Sequence, residues 1–442
     1  MRRGFKLLVL MSFSSLMLLA AKPADSTVEG KCMTCHKEKT KGLYQQWYHS
    51  EHGKHNVTCY DCHKAEKGDA DAFMHEGALI ATLVTPKDCA SCHPNEAKQT
   101  MESHHATAGQ ILQSNDAYLA HVIGGHPVAI TGCESCHGAK VEIDPASPNK
   151  LSKTSWPNSG IGRINPDGSW GSCNACHTRH SFSKAQARQP ETCGKCHLGP
   201  DHPQKEIYEE SKHGIMYFTN VDKMNLKADV WRVGVDYYEA PTCATCHMSA
   251  SAQMAVTHDV GDRISWTLRP PISKKLDKSD KRRDNMKQVC SACHEDQFIA
   301  GHYYQYDALV NLYNEKFAKP ATDIMTMIKK ADVMKHKAEF ANDIEWVYWE
   351  IWHHEGRRAR HGAAMMGPDY TWWHGIYEVG KHFYLKFIPE ALEYDVPEVN
   401  AYIEKMLSEN KMHNWIDKPA ADLKQGIKDG SLQLNYKVLF EQ

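Results

Sequence analysis

Every one of the 16 cysteines in this 442-residue chain lies in a Cys-x-x-Cys-His motif, and the motif occurs eight times. The copies open at Cys32, Cys59, Cys89, Cys133, Cys173, Cys193, Cys243 and Cys290. Their second cysteines are Cys35, Cys62, Cys92, Cys136, Cys176, Cys196, Cys246 and Cys293, and they close at His36, His63, His93, His137, His177, His197, His247 and His294. With no cysteine left over, a disulfide-stapled secreted scaffold is excluded. Each motif reads as a c-type heme attachment site. The two thiols add to the two vinyl groups of one porphyrin, and the adjacent histidine falls under the iron as its proximal ligand. Cys-x-x-Cys pairs also build structural zinc sites, and single ones redox pairs. Eight copies, all followed by histidine, favour eight covalently attached hemes over both.

The spacing sets the architecture. Successive motifs lie a few tens of residues apart, which leaves room for one or two short helices between hemes. The hemes therefore pack on one another, conduct electrons and replace much of the aliphatic core. The expected fold is mainly α: a heme-packed multiheme cytochrome domain over 22–298, motif-bearing from about Gly30 to about Glu295, then a long-helix C-terminal domain over 299–442. Proline- and glycine-rich stretches at Ile143 to Pro148, Trp156 to Gly171 and Arg269 to Lys275 read as loops. Beyond His294, Ile344, Val347, Tyr348, Ile351 and Trp352 follow the helical period of one apolar face. That pattern predicts a helix from about Ala331 to about Ala364. A second is predicted from near Asp369 to before Pro389, with Trp373, Ile376, Tyr377, Gly380 and Tyr384 on one side, and a third over Pro397 to Ser408. These helices supply distal ligands and subunit contacts in this reading.

Residues 1–21 read as an export signal: Arg2, Arg3 and Lys6 precede an apolar run from Leu7 to Leu19, closed by Ala20 and Ala21. An uncleaved anchor is the alternative, but the run is shorter than the roughly 20 residues that span a bilayer. The expected location is the periplasm, with the mature chain soluble. The formal net charge is −2, and cleavage would remove three basic residues. That balance argues against nucleic acid or an anionic membrane as partner.

Histidine carries the functional question. Eight of the 28 belong to the motifs, and the remainder suffice either for eight six-coordinate irons or for seven with one open iron. The distal candidates are His52, His75, His105 or its neighbour His104, His180, His213, His258, His354 and His361. A histidine beside a heme can instead bind a propionate or simply pack. Arg357, Arg358 and Arg360 suit propionates by bidentate geometry, or form a solvated basic face.

The order of the eight motifs, with Cys173-Asn-Ala-Cys-His-Thr-Arg-His-Ser-Phe, Cys193-Gly-Lys-Cys-His-Leu-Gly-Pro-Asp-His, Ser211-Lys-His-Gly and Ala240-Pro-Thr-Cys-Ala-Thr-Cys-His-Met, resembles the octaheme hydroxylamine oxidoreductases. The resemblance spans nearly the whole mature chain. It implies that the fourth motif, Cys133, Cys136 and His137, carries the catalytic heme with its distal side open. It also implies that Asp201 and His202 line that pocket as catalytic residues. A carboxylate and an imidazole at such a site suit proton transfer; read alone, the pair between Pro200 and Pro203 is equally a turn.

Oxidative members of that family cross-link a tyrosine from a neighbouring subunit to the catalytic heme. Here Tyr370 falls near the expected place, but in Gly367-Pro-Asp-Tyr-Thr-Trp-Trp-His-Gly its surroundings differ from the family's segment. A plain buried aromatic is the other reading of Tyr370. The departure points toward the shorter, reductive members, which take nitrite toward nitric oxide, hydroxylamine or ammonia. Oxidation of hydroxylamine or hydrazine at a cross-linked heme is one alternative, and an electron carrier with every iron bis-histidine is another. The resemblance further implies a homotrimer and a quinone-linked multiheme cytochrome as electron partner.

Overall fold

The computed structural model describes residues 27–113 and 118–441; the export segment read over 1–21 lies outside them. The chain divides into two compact units. One comprises the chain up to Val84 together with Thr178–Phe182, and the other Thr85–His177 with everything from Ser183 onward. The fold is mainly α-helical, as expected, with only two short antiparallel strand pairs among the described residues. No helix among them is long and apolar enough to cross a membrane.

The motifs are local helical turns. Cys59–His63, Cys133–His137 and Cys243–His247 are each one short helix, which sets the two thiols on one face at i and i+3 with the imidazole one residue on. Threonine caps start several of them. Thr58 with Asp61 and Thr242 with Thr245 form capping boxes ahead of the second and seventh motifs, and Thr85 with Asp88 does so at the third. In the smaller unit, Phe73–His75 pairs with Ala78–Ile80 through a two-residue turn at Glu76-Gly77. Both turn residues have positive φ, 48° and 84°, the geometry of a tight type I′ hairpin.

In the larger unit the side chains from 85 to 290 supply a small, aromatic core around Tyr208, Tyr217, Trp231 and Tyr237. The main aliphatic core lies in the C-terminal helices, where Ile324, Ile328, Ile344, Ile351, Phe383, Phe387, Val399 and Ile403 are all buried. Burial there follows the ordinary hydrophobic rule. Replacing Phe383, fully buried against Phe317 and Phe387, by alanine is expected to cost about 3–5 kcal/mol. Denaturant unfolding followed by far-UV circular dichroism measures this.

The C-terminal helices depart from the sequence expectation in two ways. The first predicted helix starts late: the preceding helix Lys319–Ala331 ends with Asp332 in the left-handed region, 333–342 is not helical, and the predicted helix begins at Asp343, capped by Asn342 and Glu345. From there α-helical Asp343–Trp349, π-helical Glu350–Glu355 and α-helical Gly356–Met365 follow without a break. The second predicted helix runs past Pro389 to Glu393, through π-helical turns at Trp372–Tyr377 and Phe383–Phe387. A π-turn shifts the hydrogen-bond ladder by one residue, so a proline just after it loses little. It also rotates the apolar face. Val379, Phe383 and Phe387 form the buried side, joined from the expected stripe by Tyr384, with Ile376 packed against it, while Trp373 and Tyr377 are exposed. The third helix is Pro397–Glu409, one residue beyond its expected end.

Candidate functional site

Backbone hydrogen bonds hold the fourth motif against the 160–162 segment. The amides of Ile161 and Gly162 donate to the carbonyls of Cys136 and His137 at 2.9 and 3.0 Å. This close approach explains the glycines in a stretch that reads as loop: at Gly160 a Cβ would lie 2.1 Å from the nitrogen of Gly138, and at Gly162 2.4 Å from that of Gly109. Gly138 itself ends the motif helix at φ +81°, and a Cβ there would stand 2.5 Å from the nitrogen of Arg163. Gly138→Ala combines strained φ with a backbone clash. It is expected to lower the thermal midpoint and to deplete the fourth heme, which heme quantification per chain measures.

Beside this motif is a cavity of about 400 Å³ lined by Cys133, Cys136 and His137, by Asp201 and His202, and by His353 and His354. Leu119, Leu198, Trp346 and Trp349 complete an apolar wall. Asp201 hydrogen-bonds directly to Nδ1 of the adjacent His202. Arg357 donates through Nη1 to Oδ2 of Asp201 at 3.3 Å and lies 3.0 Å from Nε2 of His353. Its Nη2 donates to the carbonyl of Arg269 at 2.7 Å. Burial alone would push the Asp201 carboxyl up, but the His202 hydrogen bond and the charges of His202, His353 and Arg357 outweigh it. The net result holds Asp201 well below the usual carboxylate range. His353 is buried and stacks on Trp349 with ring centroids 3.8 Å apart.

None of the three arginines of the 357–360 segment forms a solvated basic face. Arg357 serves Asp201, Arg358 pairs with Glu378 at 2.7 Å, and Arg360 is fully buried over the Tyr313 ring. Sequence reasoning passed over His353 in favour of His354, although the i, i+4 pair His353/Arg357 on one helix was a readable signal. Tyr370 lies outside the cavity of its own chain: half-buried, it stacks on His374 with centroids 5.2 Å apart.

Four motif histidines face a distal candidate. Two imidazoles that each reach one metal at about 2 Å from opposite sides have ring centroids roughly 6 Å apart. The separations are 6.2 Å for His36 and His75, 6.4 Å for His63 and His180, 6.1 Å for His197 and His105, and 6.0 Å for His294 and His213. The hairpin turn described above delivers His75. His63 directs Nδ1 at the carbonyl of Ala81 at 2.9 Å, and His36 directs Nδ1 at Thr40 Oγ1 at 2.7 Å, which leaves Nε2 of each for its partner side. His258 is an electrostatic neighbour of His93. His354 sits on the cavity of the fourth motif, His52 packs on Phe182, and His361 lies 3.3 Å from Gln204 Nε2.

Cysteines of different motifs approach one another. Cys173 lies beside Cys89, Cys193 beside Cys243, Cys196 beside Cys136, Cys246 beside Cys290 and Cys176 beside Cys193. In the larger unit the motifs thus run third, fifth, sixth, seventh, eighth, with the fourth as a branch beside the sixth.

Residues 167–338 match the family described as "Seven times multi-haem cytochrome CxxCH". A solved structure titled "Hypothetical multiheme protein" superposes with a TM-score of 0.73 at 27% identity, covering 84% of this chain and 96% of that one. A reducing HAO-like protein complex of Kuenenia stuttgartiensis shares the fold with a TM-score of 0.60 at 20% identity, covering 86% of this chain and 87% of that one. Among curated proteins, a probable nitrite reductase-hydroxylamine oxidoreductase fusion protein of the same organism is 25% identical over 331 residues, 61% of this chain. The chain spans 34% of that relative's length. Motif, fold and relatives define a multiheme c-type cytochrome, with hemes bound covalently through Cys-x-x-Cys-His.

Proposed function

We propose that this protein is an exported octaheme cytochrome that reduces nitrite, to nitric oxide, hydroxylamine or ammonia, at one open iron on the fourth motif, with the other seven hemes as electron conductors. The single observation that carries the reading is the position of Asp201 and His202 on the cavity of that motif. The residues fit a heme: two thiols and an imidazole come from one wall, and Leu119, Leu198, Trp346 and Trp349 offer an apolar surface for a porphyrin. Cys133 and Cys136 would hold it, with His137 as proximal ligand. A c-type heme bound there supplies an iron that ligates the nitrogen oxide and exchanges electrons.

The chain's own residues handle the protons. Every route from nitrite consumes protons at the oxygen atoms that leave as water. His202 is the group placed to donate them, with Asp201 orienting its Nδ1 and balancing its charge. His202, with smaller contributions from His353 and Arg357, keeps Asp201 an anion. The approach of the fourth to the sixth motif through Cys136 and Cys196 provides the route for electrons from the remaining hemes. A homotrimer in the periplasm, fed by a quinone-linked multiheme cytochrome, completes the reading.

Oxidation of hydroxylamine is the second reading, favoured by the name of the fusion relative; it requires Tyr370 of one copy to reach the cavity of another. Stopped-flow mixing separates the two. The reductive reading expects nitrite to reoxidise the dithionite-reduced hemes with nitric oxide, hydroxylamine or ammonia as product. Reduction of the oxidised hemes by hydroxylamine, with nitrite inert, would overturn it.

A further inference from the structure

The π-helical turn that carries His353 and His354 also sets two carboxylates together. In an α-helix, residues five apart diverge by roughly 140°. In a π-turn, hydrogen-bonded i to i+5, they lie over one another. Glu350 and Glu355 bound that turn and converge with His382, at the end of the Glu378–His382 helix, so that one ligand atom from each lies within 4.8 Å of the others.

The arrangement is not a satisfied ion pair. Nδ1 of His382 stands 2.5 Å from Oε1 of Glu355 and 3.9 Å from Oε2 of Glu350. Yet Nδ1 makes no hydrogen bond, so the nitrogen and oxygen approach off the N–H axis. Glu355 is only 3% exposed, and its Oε2 has no hydrogen-bond partner either. A buried carboxylate in that condition is costly. The nearby guanidinium of Arg358 is engaged by Glu378 at 2.7 Å. Two lone-pair donors pressed together, with a second carboxylate facing them, form the donor set of a cation site.

We propose that Glu350, Glu355 and His382 bind one divalent transition-metal cation, separate from any heme iron. Two carboxylates and an imidazole suit manganese(II), iron(II) or zinc(II) rather than calcium or magnesium, which take all-oxygen shells. Glu350 is 40% exposed in its side chain, which leaves the remaining coordination positions to water. The ion ties the π-turn to the Glu378–His382 helix and so fixes the segment that presents His353 and His354 to the cavity. The proposal stands whether or not the protein acts on nitrite.

The test uses the heme-loaded protein, stripped with EDTA and titrated with manganese(II) chloride. The loss of the free aqua-ion's electron paramagnetic resonance signal reads binding. The expected result is one equivalent bound, with a rise in thermal midpoint on saturation. Glu350→Gln, at a position whose side chain is 40% exposed, is expected to weaken binding about 10–100-fold with heme absorbance unchanged. His382→Gln is expected to abolish it. Absence of binding by the wild-type protein, or equal binding by wild type and both variants, would overturn the proposal and leave His382 and Glu355 as a misaligned ion pair.

Discussion

Asp201→Asn and His202→Ala are each expected to lower nitrite turnover by about 10²–10⁴-fold with all hemes retained. The two side chains act as one unit, because His202 is oriented through its bond to Asp201. The double variant is therefore expected to lose little more than either single one. Asparagine keeps the shape at 201 but removes the charge that stabilises a protonated His202, so Asp201→Asn separates electrostatics from packing. Steady-state turnover with heme quantification on the same samples measures both. Full activity in His202→Ala would remove His202 from the proton path.

Arg357→Gln is the second large effect. The guanidinium is one of the groups that hold Asp201 ionised against burial. Without it, the carboxyl moves up, while His202 and His353 still hold it below its ordinary value. The sign follows from linkage. A carboxyl depressed in the folded state contributes stability that is present above the unfolded pKa and is lost as pH falls through the folded one. In wild type that loss is confined to strongly acidic solution. In Arg357→Gln it begins at higher pH, and the acid limb of the turnover profile shifts upward with it. Loss of the charge-assisted bond itself costs about 1.5–3 kcal/mol. Acid titration of stability and of turnover, wild type against variant, measures the shift. Coincident acid limbs would show that Asp201 does not need Arg357.

The division between what was legible in the sequence and what was not has a physical basis. Heme attachment is covalent and local, so five consecutive residues specify each site and the motif helices appear where they were read. Distal pairing depends on chain geometry far from each motif. His75 reaches His36 only because Glu76-Gly77 makes a two-residue turn, and His180 reaches His63 from a segment more than a hundred residues later. The first helical face after His294, from Ile344 to Trp352, was read correctly because it precedes most of the π-distortion. The face through Trp373 and Tyr377 was not, since a 3.6-residue period loses phase at each π-turn. The same distortion concealed the convergence of Glu350 with Glu355. A loop reading of Trp156 to Gly171 was sound, but its glycines serve backbone contact with the fourth motif rather than freedom.

The central claim is that the iron on the fourth motif has an open coordination position while the other seven are six-coordinate. Electron paramagnetic resonance of the oxidised protein, before and after cyanide, tests it most directly. The account expects one high-spin heme per chain that converts to low spin on binding cyanide, and the same signal to vanish in Cys133→Ala/Cys136→Ala. Eight low-spin hemes that ignore cyanide would contradict it and make the chain an electron carrier.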